Sequence, residues 1–249
     1  MHLNKSRLTK WIYASDLHGD MQQGNVVDEL YEFTEKFKPD VKIFGGDLFD
    51  FRAIRRGATA TERADSMALD VELGLEFLNK WKPDVFLRGN HDERLWDTAK
   101  YAGDGLVRDH AQEGVRQIET KCKLIKCKLL PYSVNEGVYR LGKLSFIHGF
   151  HAGMYATKRH AEVFADEGGA TIHGHTHSIQ QASIARHGGA NGFGAGCLCQ
   201  LDMEYNRHFT SRLMHQHGWG YGFVNKNEYH YFQARKMGER WLYATAFNE

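Results

Sequence analysis

Five short clusters of metal-binding residue types lie along the chain in a fixed order. They are Asp16-Leu17-His18, Gly45-Gly46-Asp47, Gly89-Asn90-His91-Asp92, His148-Gly149 and Gly174-His175-Thr176-His177. Together they supply carboxylate and amide oxygens and imidazole nitrogens, a mixture that suits Mn²⁺, Fe²⁺ or Zn²⁺ better than Ca²⁺ or Cu⁺. The set is large enough for two ions, and two ions about 3.5–4 Å apart activate water and stabilise an in-line displacement at phosphorus. The residues therefore predict metal-dependent chemistry on a phosphate ester.

Each cluster follows a short apolar run that is typical of a strand. The runs cover residues 11–15, 41–44, 85–87, 144–147 and 170–173. Apolar residues at helical spacing fill 26–37 and 67–81, and each of these stretches stops at a Lys-Pro-Asp triplet, because proline ends a helix and favours an extended approach to the next strand. Alternating strands and helices predict a parallel sheet, in which ligands gather beyond the carboxyl ends of the strands. The five clusters fall at those ends.

The five blocks, in this order, resemble the pattern of the calcineurin-like metallophosphoesterase superfamily: D-x-H, G-D, G-N-H-D, a lone histidine and G-H-x-H. The Asp-Leu-Phe-Asp run at 47–50 favours the bacterial- or phage-type phosphodiesterase and nuclease-like branch over the Ser/Thr phosphatases, whose G-D-x-V-D-R-G block is absent. The resemblance implies an α/β fold. This fold is a four-layer αββα sandwich, with two mixed β-sheets flanked by helices and a dinuclear metal site at the carboxyl ends of the strands.

We expect a single metallophosphoesterase domain over residues 1–249, because no linker, repeat or low-complexity tract interrupts the chain. Residues 178–186 alternate enough for a strand, and the glycine-rich stretch 188–194 is typical of a turn. Residues 220–243 suggest hairpins with turns at 225–227 and 237–238. This C-terminal part is expected to build the second sheet.

Ligand roles follow from the resemblance. One ion would take Asp16, His18 and His177, the other would take Asn90, His148 and His175, and the carboxylate of Asp47 would bridge them. The implied cofactors are two divalent metal ions, with Mn²⁺ favoured and Fe²⁺, Zn²⁺ or Ni²⁺ as alternatives.

His91 adjoins the ligand Asn90 and is the expected catalytic proton donor to the leaving-group oxygen, since histidine is the side chain most easily poised near pH 7. Two interpretations of Asp92 stay open: it orients His91 in the catalytic site, or it caps the helix that follows. Asp50 is a candidate for a further carboxylate that contacts a ligand histidine.

Composition constrains location and partners. Lysine and arginine number 32 against 31 aspartate and glutamate, so net charge favours neither a nucleic-acid nor a membrane partner. The first residues lack the apolar core of a signal peptide, and no run approaches the ~18 apolar residues of a membrane span, so we expect a cytoplasmic protein. The four cysteines, at 122, 127, 197 and 199, favour buried thiols over a disulfide framework or a C-x-C metal or redox pair.

The preferred function is hydrolysis of a phosphodiester bond by a metal-activated water, with a nucleotide or DNA as the expected phosphoester partner. Phosphomonoester hydrolysis and hydrolysis of a lipid-linked pyrophosphate or phosphodiester stay open, because related sites serve all of them. An alternative of another class is a non-catalytic metal-binding scaffold that docks through its aromatic C-terminal strands. A nucleic-acid substrate calls for a basic patch, with candidates Arg52, Arg55, Arg56, Lys158 and Arg159. His208, His215 and His217 are interpreted as surface or loop histidines.

Overall fold

The computed structural model describes residues 8–202 and 214–244. Its helices are α1 (Gly24–Phe37), α2 (Ala60–Ala64), α3 (Met67–Trp81), α4 (Asn90–Tyr101), α5 (Gly105–Leu124) and α6 (Ala156–Phe164). Its strands are β1 (Thr9–Ala14), β2 (Val41–Phe44), β3 (Val85–Leu87), β4 (Lys128–Leu130), β5 (Tyr139–Leu141), β6 (Leu144–Ile147), β7 (Gly169–His173), β8 (Ile179–Ile184), β9 (Ala190–Ala195), β10 (Gly218–Val224), β11 (Tyr229–Met237) and β12 (Arg240–Leu242). Within these described ranges, no helix combines the length and the apolar character that crossing a membrane requires.

The strands form two mixed sheets. Seven strands make the first sheet in the order β12-β11-β10-β1-β2-β3-β4, and five make the second in the order β5-β6-β7-β9-β8. The neighbours β1, β2, β3 and β4 run parallel, as do β6, β7 and β9. The parallel sheet predicted from the alternation of strands and helices is confirmed. In the first sheet β12, β11, β10 and β1 pair antiparallel in turn, and in the second sheet the edge strands β5 and β8 pair antiparallel with β6 and β9.

The sheets and helices form four layers, with one hydrophobic core between the two sheets and another between the first sheet and its helices. Because successive strand residues point to opposite faces, β1 directs Trp11 and Tyr13 into the core between the sheets, and Ile12 and Ala14 into the core under the helices. Helices α1, α3 and α5 cover the first sheet through that second core. Helix α6 packs on the other sheet through Ala161. The αββα sandwich is therefore confirmed.

The two Lys-Pro-Asp triplets act in the same way. Lys38 and Lys82 end α1 and α3 in the left-handed conformation, each with φ 50° and ψ 65°. After the proline, Asp40 accepts a hydrogen bond from the backbone of β1 and Asp84 accepts one from the backbone of β2, both at 2.8 Å. Each triplet thus stops a helix and ties the incoming strand to its neighbour.

Two expectations for the C-terminal part are wrong. The hairpins have their turns where predicted, but β10, β11 and β12 extend the first sheet, with β10 antiparallel to β1. Of the described strands after His177, β8 and β9 alone join the second sheet. The stretch expected as a glycine-rich turn contains β9. A Cβ at Gly192 would lie 2.6 Å from the carbonyl oxygen of Thr157 on α6. Glycine serves close helix packing there.

Candidate metal centre

The seven predicted ligands follow the carboxyl ends of β1, β2, β3, β6 and β7, six of them in loops and Asn90 as the first residue of α4. Backbone hydrogen bonds fasten these loops to one another. The N–H of Asp16 donates to the carbonyl oxygen of Gly46 at 2.9 Å, and that of Gly174 donates to His148 at 2.8 Å. The N–H of His175 lies 3.0 Å from both carboxylate oxygens of Asp16, which joins the loops of the two sheets.

Asp16, His18 and His177 form a first group. Nε2 of His177 lies 3.3 Å from Oδ1 of Asp16 and 3.2 Å from Nε2 of His18. All three residues are buried. Burial opposes ionisation of Asp16, but the adjacent imidazole of His177 outweighs it and lowers the pKa of this carboxyl to about 2. The group therefore combines one charged carboxylate with two imidazoles.

Asn90, His148, His175 and Asp47 form a second group. Nε2 of His148 lies 3.1 Å from Oδ1 of Asn90 and 3.3 Å from Oδ2 of Asp47. One ligand atom from each of Asp47, His148 and His175 falls within 4.8 Å of the others. These are the residues expected around the second ion.

Asp47 lies between the two groups. Its Oδ2 is 3.3 Å from Nε2 of His148 and 3.9 Å from Nε2 of His18, while its Oδ1 accepts a hydrogen bond from the N–H of His91 at 2.8 Å. Although burial opposes ionisation, the imidazoles of His148 and His91 hold the pKa of Asp47 well below its ordinary value. A charged carboxylate thus lies between the two groups, within 4 Å of a histidine from each.

The ring nitrogens of these histidines fit metal binding. Nδ1 of His18 faces Oδ1 of Asp50 at 3.1 Å, and Nδ1 of His148 faces the carbonyl oxygen of Gly45 at 2.8 Å. Such oxygens accept hydrogen bonds, so each Nδ1 donates and Nε2 is the ring nitrogen left for a metal ion. The 3.2 Å between Nε2 of His18 and Nε2 of His177 is close to the ~3.3 Å that separates two nitrogens held tetrahedrally at ~2.0 Å from one ion. The donor set suits a divalent metal.

Five of the seven ligands have a left-handed backbone. Their φ angles lie between 51° and 64°, and they are Asp16, His18, Asp47, His175 and His177. In the described residues, nine non-glycine positions have a positive φ, so the ligands account for five of them. This conformation costs of order 1–3 kcal/mol per residue and clusters at functional sites. The fold therefore holds these side chains in positions that stability alone does not favour.

Two motif glycines make room for the ligand carboxylates. A Cβ at Gly89 would lie 2.1 Å from Oδ1 of Asp47, and a Cβ at Gly174 would lie 2.4 Å from Oδ2 of Asp16. Both distances are far below van der Waals contact, so any side chain would displace a carboxylate. These glycines are part of the ligand geometry.

His91 lies beside both groups. Its Nδ1 lies 2.7 Å from Oδ1 of Asp50, the oxygen that also faces His18, and its Nε2 lies 3.9 Å from Oδ2 of Asp47. Burial opposes ionisation of Asp50, but the hydrogen bonds from His18 and His91 prevail and hold the pKa of this carboxyl well below its ordinary value. Burial also lowers the pKa of His91. Asp50 therefore fixes the orientation of two imidazoles at once.

Asp70 on α3 holds the loop that carries Asp50. Its carboxylate accepts hydrogen bonds from the N–H of Asp50 at 3.1 Å and from the N–H of Phe51 at 2.7 Å. The side chain is buried, and this burial raises the pKa of Asp70 to about 6. The loop with the orienting carboxylate thus depends on a second buried carboxyl group.

Asp92 hydrogen-bonds to the backbone at the start of α4, as a helix cap does. Its Oδ1 accepts a hydrogen bond from the N–H of Phe49 at 3.0 Å, and its Oδ2 accepts one from the N–H of Gly89 at 2.7 Å. Burial raises the pKa of Asp92 to about 8. These bonds cap α4 and tie the loop after β3 to the loop after β2. The carboxylate that accepts a hydrogen bond from the ring of His91 is that of Asp50.

Arg52 and Arg55 do not form the open basic patch that a nucleic-acid substrate calls for. Arg52 donates to both carboxylate oxygens of Asp20, at 2.7 and 2.6 Å, and to Asp65 at 2.6 Å. Arg55 donates to the carboxylate of Glu62 at 2.8 and 2.7 Å. Paired guanidinium groups of this kind fix the geometry of a loop. Their charge is matched by carboxylates of the same chain.

Two residues beside the first group were not predicted to belong to the site. The ring centroid of His215 lies 4.9 Å from that of His177, and its Nδ1 is buried without a hydrogen bond to the described residues. Sγ of Cys199 lies 3.7 Å from Nδ1 of His177. A β-bridge from Ser178 to His215 brings the segment that carries His215 next to His177. This long-range contact cannot be predicted from the local spacing of residues. His208, the first histidine of that cluster, lies outside the described residues.

A comparison with protein families agrees with this geometry. The sequence pattern of the family described as calcineurin-like phosphoesterase matches residues 10–179, which is more than half of the chain and includes every predicted ligand. The chain belongs to the calcineurin-like phosphoesterase family. No curated protein matches it.

Solved structures similar to this chain share little sequence with it. Yfce, a phosphoesterase from E. coli, is 15% identical with a TM-score of 0.43, over 90% of this chain and 97% of the other. A metallophosphoesterase from Sphaerobacter thermophilus is 12% identical with a TM-score of 0.42, over 89% of each chain. A single mutant of Vps29 from Entamoeba histolytica is 9% identical with a TM-score of 0.49, over 95% and 96%. The family match alone supports the assignment.

Proposed function

We propose that the chain is a phosphoesterase that binds two divalent metal ions and hydrolyses the phosphodiester bond of a nucleotide. The observation that carries this proposal is the convergence of seven oxygen and nitrogen donors into two groups that share Asp47. A buried constellation with charged carboxylates and inward-facing imidazole nitrogens is stabilised by cations and by little else.

The ligand assignment follows from the two groups. One ion would be held by Asp16, His18 and His177, the other by Asn90, His148 and His175, and Asp47 would serve both. When bound, the ions bring the pKa of a water toward neutrality and neutralise charge on the phosphoryl oxygens. Mixed oxygen and imidazole donors favour Mn²⁺, with Fe²⁺, Zn²⁺ or Ni²⁺ as alternatives.

His91 supplies the proton for the leaving group. Its side chain is 12% exposed, whereas that of the neighbouring His18 is fully buried, so His91 is the more open of the two rings. Nδ1 faces the charged Asp50, which offsets part of the effect of burial on the imidazolium and leaves the Nε2 proton free to move to the departing oxygen. The bond from Nε2 to its proton breaks as the new O–H bond forms, and solvent restores the proton afterwards. A non-catalytic scaffold has no need for a ring aligned in this way.

The pairing of three of the five basic candidates favours a small substrate over DNA. Arg52 and Arg55 are matched by carboxylates, and Nζ of Lys158 lies 3.9 Å from the carboxylate of Glu162. A polynucleotide gains much of its affinity from releasing counterions at unmatched lysine and arginine residues. We therefore place a nucleotide or similar small phosphodiester ahead of nucleic acid.

A substrate panel with Mn²⁺ tests the proposal. It compares a phosphomonoester, a phosphodiester, cyclic nucleotides, single- and double-stranded DNA and a lipid-linked pyrophosphate, with Asp47→Asn as the inactive control. We expect the nucleotide diesters to be hydrolysed best, with little dependence on salt. Faster turnover of the monoester or of the lipid-linked substrate would change the substrate class. No turnover by protein that holds two ions would favour the scaffold.

A further inference from the structure

The ligand histidines differ in what holds the ring nitrogen that faces away from the metal groups. His18 uses the carboxylate of Asp50, and His148 uses the carbonyl oxygen of Gly45. Oxygen acceptors are the usual partners of a metal-binding histidine, since they fix the ring and raise its basicity. Nδ1 of His177 faces a sulfur instead, the Sγ of Cys199 at 3.7 Å.

The backbone holds Cys199 firmly in this position. An antiparallel bridge pairs Cys199 with Gln22, and Nε2 of His217 lies 3.0 Å from the carbonyl oxygen of Cys199. The preceding residue, Leu198, donates its N–H to the carbonyl oxygen of Asp16 at 3.1 Å. The thiol is therefore presented from a segment that is tied to the same loop as the ligand Asp16.

Cys197 provides a natural comparison in the same apolar pocket. Both cysteines are fully buried, and Met21 and Leu201 pack against them. The hydrogen bonds of the Cys197 thiol go to backbone carbonyl oxygens, at 3.6 Å for Gln216 and 4.0 Å for Cys199. Removing either sulfur takes a similar volume from the pocket, but only Cys199 hydrogen-bonds to His177.

We propose that Cys199 is a positioning residue for His177. Its sulfur accepts a hydrogen bond from the Nδ1–H of the imidazole and thereby turns Nε2 toward Asp16 and His18, at 3.3 and 3.2 Å. The inference rests on the proposed function, because it takes His177 as a ligand of the first ion. Sulfur is a weak acceptor, so this ring is held less tightly than that of His18, and the first group depends on the thiol for its alignment.

Metal titration of three variants tests this role. Metal-free wild-type protein, Cys199→Ala, Cys199→Ser and Cys197→Ala are titrated with Zn²⁺ by calorimetry. Loss of such an outer partner weakens metal binding by about 10–100-fold. We expect Cys199→Ala to weaken one of the two ions by this factor and to leave the other within about threefold. Cys199→Ser keeps an acceptor and should bind like the wild type, as should Cys197→Ala.

The proton on Nδ1 of His177 gives a second measurement. In zinc-loaded, ¹⁵N-labelled protein, we expect its resonance to exchange slowly with solvent in the wild type, in Cys199→Ser and in Cys197→Ala. In Cys199→Ala it should shift and exchange faster. A change of packing alone would affect the Nδ1 resonance similarly in Cys197→Ala and Cys199→Ala.

Each outcome decides between the inference and its alternatives. If Cys197→Ala and Cys199→Ala weaken metal binding equally, the effect comes from the volume lost in the apolar pocket and the positioning role is overturned. Unchanged metal binding in Cys199→Ala would overturn the positioning role directly. Wild-type protein that binds fewer than two ions would count against the proposed function instead. The His177 resonance of the metal-free wild type and Cys199→Ala would then still show whether the thiol orients the ring, and identical resonances would overturn that.

Discussion

Replacing Asp50 by asparagine should separate proton donation from metal binding. One oxygen of Asp50 faces Nδ1 of His91 at 2.7 Å and Nδ1 of His18 at 3.1 Å. Asparagine keeps the shape of the side chain but removes its charge. His18 is neutral when it binds a metal, whereas His91 must be an imidazolium to donate a proton. The substitution therefore acts mainly on the charged form of His91.

The size of the effect follows from the hydrogen bond between Asp50 and His91. A bond to a charged partner contributes about 1.5–3 kcal/mol, and a neutral bond contributes about 0.5–1.5 kcal/mol. The difference of about 1–2 kcal/mol corresponds to a 5- to 30-fold rate effect at about 1.36 kcal/mol per factor of ten. The Asp50 side chain is 3% exposed and that of His91 12%, so screening by salt is small.

The assay compares two phosphodiesters at saturating Mn²⁺. One has an alkoxide leaving group that needs a proton, and the other releases nitrophenolate, which leaves without help. For Asp50→Asn, we expect kcat/KM to fall about 5- to 30-fold on the first substrate and less than about threefold on the second. Saturating metal removes any contribution from weaker binding at His18.

Asp92→Asn is the matched control, because the Asp92 carboxylate accepts hydrogen bonds from the backbone of Phe49 and Gly89. It should lower stability and reduce both activities by a similar factor. An equal loss on both substrates in Asp50→Asn would refute the orienting role of this carboxylate. The same would follow if Asp92→Asn alone showed the dependence on leaving group.

Three further outcomes are expected. His91→Ala should keep both ions and lose roughly 10²–10⁴-fold in activity on the poor leaving group but little on nitrophenolate; a loss of metal would contradict it. Asp47→Asn should abolish activity and weaken both ions, since this carboxylate lies 3.3 Å from His148 and 3.9 Å from His18; one ion bound with unchanged affinity would exclude a bridge. The pKa of Asp70 is raised by burial from 3.8 to about 6, so the protonated carboxyl stabilises the fold below pH ~4 and this contribution is lost as pH rises through ~6. Urea unfolding of metal-free protein should show that the free energy of unfolding falls by about 3 kcal/mol more in the wild type than in Asp70→Asn between pH ~4 and ~6. Parallel plots of this free energy against pH for the two proteins would count against it.

Local sequence signals predicted the parallel strands of the first sheet and the places of the proposed ligands after their strands. The strand runs at 41–44 and 85–87 have the bounds predicted, because apolar residues between a Lys-Pro-Asp triplet and a Gly-containing block leave few alternatives. A residue that follows a parallel strand must lie at its carboxyl edge. The positions of Asp16, Asp47 and His148 therefore follow from the local pattern, once the strands are known to be neighbours.

Contacts between distant segments could not be predicted in the same way. The pairing of β10 with β1 joins residues more than 200 positions apart, and the alternation of β10 alone suits either sheet. The choice between Asp50 and Asp92 depends on which backbone N–H groups lie nearby. The carboxylate partners of Arg52, like the approach of Cys199 to His177, depend on how loops fold against one another.

The proposed two-ion centre is tested most directly by measuring metal content and activity on the same protein. Metal-free protein is titrated with Mn²⁺ while bound manganese per chain and hydrolysis of a phosphodiester are followed together. The arrangement of Asp16, His18 and His177 on one side of Asp47, and of Asn90, His148 and His175 on the other, leads us to expect two ions per chain and activity that rises with the second. Full activity in metal-free protein, or maximal activity with no more than one ion bound, would contradict it.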